Sequence, residues 1–213
     1  MRQRYLLTIG VVSVGASLVL GAAGVATGFL SGRGGDIGID RAVQIAQKAA
    51  ASYPGGGLKA DEVIGFSQNY YASVRETGSG IGAFEILIDR ASGRVRREPG
   101  PDMMWNTRYS MSGAVMSGAG VMGGAGVMGG SVLTPSRAMP VNAEQAQEIA
   151  QRWLDSNRSG STTKSPDAFH GFYTVDFESS GHLAGMVSVN GYTGQVWYHS
   201  WHGTFVQLRD LGA

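Results

Sequence analysis

Apolar positions along this chain follow two patterns, one helical and one alternating, and the same succession of patterns occurs twice. Ala146, Ile149, Ala150, Trp153 and Leu154 stand at i, i+3, i+4, i+7 and i+8, an apolar stripe on one face of a helix. Ala42, Ile45, Ala46, Ala49 and Ala50 hold the equivalent positions 104 residues earlier, and Tyr53 extends that stripe. Asn142 with Gln145 has the spacing of a capping box, in which each side chain satisfies a free backbone N–H. Pro54-Gly55-Gly56-Gly57 stops the first helix. Alternation follows each helix: Phe84, Ile86 and Ile88 in the first copy, Val187 and Val189 in the second. Strands are predicted over 63–76, 83–89 and 93–98, and again over 170–178, 183–190 and 194–202. Asp89…Gly93 and Asn190…Gly194 read as tight connections, because Asp or Asn bonds its own backbone two residues on and Gly supplies a positive φ. The expected fold class is α+β, with two repeated units, each a helix packed on a three-stranded antiparallel sheet.

One apolar stretch fits neither pattern. Residues 5–30 run for 26 positions without a charge. A membrane span needs about 20 apolar residues, whereas a secretory h-region has only about 7–15. The length argues for an uncleaved transmembrane anchor over 1–31, although Ala22-Ala23-Gly24 or Val25-Ala26-Thr27 would suit a signal peptidase. Arg2 and Arg4 precede the run and place the N-terminus in the cytoplasm, with the rest of this single-pass protein extracytoplasmic. Gly10, Ser13, Ser17, Gly21, Gly24 and Gly28 lie three or four apart, a small-residue face on which another membrane helix can pack. Gly is also simply common in membrane helices.

Within the repeats, Ile88-Asp89-Arg90-Ala91-Ser92-Gly93-Arg94-Val95 and Val189-Asn190-Gly191-Tyr192-Thr193-Gly194-Gln195-Val196 carry a further signal. They resemble the V-D-x-x-T-G-x-V strand connection of PepSY-type domains, and the resemblance covers about 39–98 and 141–202. Ser92 replaces the Thr and Asn190 the Asp of that pattern. The resemblance implies inhibitory or regulatory modules outside the cytoplasm, akin to peptidase propeptides, with no catalytic residues to carry over. The units are delimited as 38–98 and 141–204, with 205–213 as a C-terminal tail.

Between them lies a Met- and Gly-rich insert, 99–140. It opens with Met103, Met104 and Trp105, then repeats a hexad that spaces Met116, Met122 and Met128 six apart. A structureless connection of this length is uncommon inside a compact domain. Thioethers suit Cu(I), so the three methionines are candidate copper ligands. Met also adapts to irregular apolar surfaces, which suits contact with a partner, and the third reading is a low-complexity linker.

Composition narrows the choices. Charged residues make up 15% of the chain, against roughly 25% in an average soluble protein. There is no Cys, which excludes disulfides and thiol chemistry. Lys and Arg number 17, including Arg2 and Arg4, against 16 Asp and Glu, so the part beyond the anchor carries a net −1. That balance leaves no basic footprint for nucleic acid, and Arg94, Arg96 and Arg97 read as the solvated face of a strand. Trp197, His199 and Trp201 alternate with Val196, Tyr198 and Ser200 and are expected in core or inter-repeat packing. If 194–202 is one strand, His199 and His202 face opposite ways, which argues against a two-His metal site. His170 and His182 have no ligand-like spacing, and no motif joins Ser, His and acid into a catalytic set. No cofactor is expected. The expected function is therefore non-enzymatic: a membrane-anchored accessory or regulatory subunit that docks on an integral membrane protein complex. Its contacts would come from Gly10, Ser17, Gly21, Gly24 and Gly28 of the anchor and from Met103, Met104, Trp105, Met116, Met122 and Met128. The alternatives are a PepSY-type peptidase inhibitor or modulator and a periplasmic copper-binding protein.

Overall fold

The structure, a computed structural model, describes residues 35–109 and 138–212. In chain order the elements are α1 (Ile39–Ala51), β1 (Leu58–Phe66), β2 (Asn69–Glu76), β3 (Gly82–Asp89), β4 (Val95–Arg97), α2 (Pro101–Met104), α3 (Ala143–Asn157), β5 (Ser161–Thr163), β6 (Asp167–Ala168), β7 (Phe172–Ser179), β8 (His182–Asn190), β9 (Val196–Tyr198) and β10 (Phe205–Asp210). They form two five-stranded sheets whose strand pairs are all antiparallel, ordered β10-β1-β2-β3-β4 and β5-β7-β8-β9, with β6 beside β7. Among the described residues no helix is long and apolar enough to cross a membrane. The anchor expected over 5–30 lies outside them.

The expected helices and the antiparallel order are present, and the expectation of three strands per sheet is corrected. The run 63–76 is a hairpin, β1 and β2, turned at Ser67-Gln68 without a Gly or Pro to announce it. The polar segment after α3 supplies β5. Residues 205–213, expected as a tail, hold β10, which crosses back to pair with β1 of the first unit, Glu62 opposite Asp210 through Phe66 opposite Phe205. The strands expected to 98 and 202 end at Arg97 and Tyr198.

α1 and α3 each lie on the outer face of one sheet. Ala42, Ala46 and Ala50 of α1 are fully buried on Val63, Tyr70, Ala72, Val74, Phe84, Ile86 and Ile88. Ala146, Ala150 and Leu154 of α3 are buried on Tyr173, Val175, Phe177, Val187 and Val189, with Ile149 and Trp153 half-buried beside them. The capping box forms as expected: Gln145 N donates to Asn142 Oδ1 and Asn142 N to Gln145 Oε1, both at 2.9 Å. The repeat extends to single contacts. A Cβ on Gly93 would stand 2.9 Å from Ile45 Cδ1, and one on Gly194 would stand 3.3 Å from Ile149 Cδ1. Both connections are built alike: Asp89 Oδ1 accepts from the amides of Ala91 and Ser92, Asn190 Oδ1 from those of Tyr192 and Thr193.

The other faces of the two sheets meet. Ile64, Phe66, Tyr71 and Leu87 of the first sheet pack with Met186 of the second, flanked by Leu183, Trp201 and Phe205. The order of layers is thus helix, sheet, sheet, helix. Burial on both faces explains why β3 reads Ala83-Phe84-Glu85-Ile86-Leu87-Ile88 rather than as a clean alternation.

Candidate functional site

Polar side chains collect in the seam between the sheets, where apolar ones are expected. Glu85 of β3 accepts from Tyr71 Oη on its own sheet and from Thr174 Oγ1 on the other, both at 2.7 Å. Thr174 is 3.3 Å from Ser188 Oγ, and Ser188 is 2.9 Å from His199 Nε2. His199 leads to Glu98, which follows β4: His199 Nδ1 is 3.4 Å, and His202 Nε2 2.9 Å, from Glu98 Oε1. Trp201 Nε1 donates to that same oxygen at 2.9 Å. Glu98, His199 and His202 are 0%, 2% and 1% exposed, so the cluster is sealed from solvent.

The chain reaches this geometry by leaving the sheet early. β9 stops at Tyr198, and 199–202 turn, so two rings three positions apart come to one side. Gly203, at φ +80°, completes the turn where a Cβ would meet Ser67 Oγ at 2.2 Å. The expectation that His199 and His202 face opposite ways is thereby corrected. It assumed pleated backbone through 202, whereas that alternation ends with the strand. The rings are held by stacking: His202 on Phe66, centroids 4.5 Å apart, and His199 on Trp201, 4.9 Å apart.

Electrostatics follow from burial. Desolvation pushes Glu85 well above the usual carboxyl range, and the nearby Glu98 and Asp102 push it further. Desolvation would also raise Glu98, but His199 and His202 outweigh it and hold its carboxyl well below that range. Burial lowers His202 and so favours its neutral ring. Beside the cluster, Asp102 accepts from Arg97 Nε at 2.6 Å and from Glu85 N at 3.1 Å, and burial still pushes it up to about 6. Arg97 also lies over the Phe84 ring at 4.5 Å. It is therefore a structural residue, not part of a solvated Arg face as expected.

A second, more open cluster bridges the units. Glu76 accepts from Tyr109 Oη at 2.8 Å and lies 2.9 Å from His170 Nε2 and 3.2 Å from Arg108. Burial alone would raise Glu76; hydrogen bonds from Ser79, Tyr109 and His170 prevail and hold it at about 2.

The predicted contact residues fall in two groups. Met103 and Met104 are exposed on α2, at 40% and 66%, and Trp105 packs edge-on against Trp197 with ring centroids 6.0 Å apart. The start of the insert is thus built into the fold, through Asp102 and through Asn106, which donates to Ala83 O at 2.7 Å. Gly10, Ser17, Gly21, Gly24 and Gly28, and Met116, Met122 and Met128, lie outside the described residues. Trp201 and His199 sit between the repeats, and Tyr198 stacks on Trp153 in the outer core, as core or inter-repeat packing required. The residue missed from sequence is Glu98, the last position of the strand expected over 93–98, which the structure places just past the end of β4. The available signal was His-x-x-His after a strand end, which puts two rings on one side only if the backbone turns.

Two surface hollows, of about 280 and 270 Å³, are lined by Val141, Ile149 and Arg152 and by Tyr53, Arg108 and Tyr109; neither includes the buried cluster.

No family model matches the chain, and no curated protein matches it. Among solved structures, the chain is similar to the Bacillus megaterium YpeB C-terminal domain, at 11% identity and a TM-score of 0.26. The match covers 76% of this chain and 62% of that one, so the chain spans less than two thirds of that structure's length.

Proposed function

We propose that this protein is a tandem PepSY-like, non-enzymatic accessory or regulatory subunit, anchored in the cell membrane and docking on an integral membrane protein complex through extracytoplasmic units. One observation carries the non-enzymatic part. The larger acid–imidazole cluster, Glu85, Glu98, His199 and His202, is sealed between the two sheets with at most 2% exposure, and the more open Glu76–His170 pair is taken up by bonds to Tyr109 and Arg108. A substrate needs hydrogen-bond reach to an acid, base or nucleophile, and this arrangement spends those groups on holding the sheets together. The docking part draws on Met103 and Met104, which leave apolar surface in water where the insert begins. The matched turns at Asp89 and Asn190 support the PepSY-like assignment.

Co-purification of the full chain from membranes in mild detergent tests the proposal, with a photo-crosslinking residue at Met104 or, as control, at exposed Glu144. A stoichiometric membrane protein labelled from position 104 and not from 144 is expected. A chain that purifies alone, or one that holds a secreted peptidase instead, overturns it; the second outcome turns the reading to peptidase modulation.

A further inference from the structure

The seam between the sheets is electrostatically incomplete as hydrogen bonds alone. Trp201 O can only accept, so Asn69 presents its amide nitrogen there, at 2.8 Å. Asn69 Oδ1 then faces His202 Nδ1 at 2.9 Å and fixes the proton on that nitrogen. In the neutral ring His202 Nε2 then carries the lone pair, and it is aimed at a carboxylate oxygen 2.9 Å away. His199 is arranged alike. Thr174 gives its only hydroxyl proton to Glu85, Ser188 can give its own to Thr174, and Ser188 then accepts from His199 Nε2. With that direction of donation the neutral His199 ring carries its lone pair on Nδ1, 3.4 Å from Glu98 Oε1. His199 Nδ1, His202 Nε2 and Glu98 Oε2 are buried without a hydrogen-bond partner. A buried carboxylate facing two ring nitrogens needs positive charge between them, either protons on the rings, which lower Glu98, or one cation in their place.

We propose that Glu98, His199 and His202 bind one divalent transition-metal ion, with Zn²⁺ the best fit, and that the ion ties the two sheets together. The three ligand atoms lie within 4.8 Å of one another. A tetrahedral ion with bonds of about 2.0–2.1 Å sets its ligand atoms roughly 3.3 Å apart, close to the 2.9 and 3.4 Å spacings around Glu98. Two imidazoles and a carboxylate suit Zn²⁺, whereas Ca²⁺ and Mg²⁺ take oxygen sets and Cu(I) prefers sulfur. The surroundings are those of a metal site. The nitrogen of each ring that points away from Glu98 is hydrogen-bonded, by Asn69 and by Ser188, and Trp201 orients the carboxylate. Because Glu98 comes from the first unit and both imidazoles from the second, the ion would act as a cross-link and not as a reaction centre. This site is independent of the docking role.

The test uses the full chain in mild detergent, stripped with a chelator and titrated with Zn²⁺ by calorimetry, and in parallel with Co²⁺ by visible absorption. The expected results are one equivalent per chain, a Co²⁺ spectrum of four-coordinate type, and a higher Tm with Zn²⁺. Glu98→Gln and His202→Gln should abolish uptake. Asn69→Ala, a positioning change, should weaken it by about 10–100-fold. His170→Gln and His182→Gln should leave it unchanged. A folded parent chain that takes up neither ion at one equivalent overturns the proposal, and that measurement stands even if a variant fails to fold. Uptake that persists in Glu98→Gln and His202→Gln overturns it too.

Discussion

Gly203 shows how much of this molecule hangs on one backbone position. Its φ of +80° lets the chain turn after His202, and a Cβ there would stand 2.2 Å from Ser67 Oγ, the acceptor for Thr204 N. Gly203→Ala therefore combines left-handed strain with a displaced hydrogen bond, each in the range of about 1–3 kcal/mol. Urea unfolding of this variant should show a loss of about 2 kcal/mol or more, and its Zn²⁺ affinity should fall because the turn carries both imidazoles. Glu76 makes a pH prediction at the same scale. Its folded pKa, about 2, lies below the ordinary value of 4.5, so its stabilisation is fully present above that ordinary value and is lost as pH falls toward 2. Glu76→Gln should make stability less steeply pH-dependent between about 4.5 and 2. Denaturant melts across that interval check the sign, and an unchanged slope would contradict the role given to His170 and Tyr109.

At the scale of elements, α3 has a complete N-terminal capping box and α1 has none, since Gly38 precedes α1 without a side-chain bond. Asn142→Ala should cost about 1 kcal/mol. Leu154→Ala, at a fully buried position on the second sheet, should cost about 2–5 kcal/mol. Both are read from chemical denaturation, and both should leave the first unit's helix signals in place. These helices were legible in sequence because each carries a long 3.6-residue stripe, as were the connections at Asp89 and Asn190, which rest on local bonds. The strands were less so. Nothing at Ser67-Gln68 announces a turn, and β5 is too short and polar to show a period. The seam was not legible at all. Glu98 and His202 are 104 positions apart and meet only because two sheets stack, and β9 ends at Tyr198, four positions short of the strand read from sequence.

The molecule as a whole is held together by elements that cross between its units. β10 leaves the second unit and completes the first sheet, with Leu211 N donating to Asp61 O at 2.7 Å and Thr204 O accepting from Ser67 N at 2.8 Å. Phe205 meets Phe66 edge-on, ring centroids 6.5 Å apart, at one end of the seam. Without β10, β1 becomes an edge strand, and its Val63, Ile64 and Phe66, all fully buried in the intact chain, lose cover. A bare apolar edge of this kind pairs with copies of itself. In the intact chain the outermost strand instead carries Gln207, Arg209 and Asp210, side chains that discourage such pairing. A chain shortened to end at Thr204 should therefore be less stable by several kcal/mol, about what losing one large aromatic from a core costs (~3–5 kcal/mol) plus the unpaired backbone. It should also self-associate, seen as a concentration-dependent shift in light scattering that the full chain lacks. Phe205→Ala separates the two effects. It removes the packing but keeps the backbone ladder, so it should lower stability without producing the association. If Phe205→Ala associates as strongly as the shortened chain, exposed apolar surface and not the open strand edge is the cause. If neither variant changes, β10 is an ornament on the sheet and the two units are held by the seam alone.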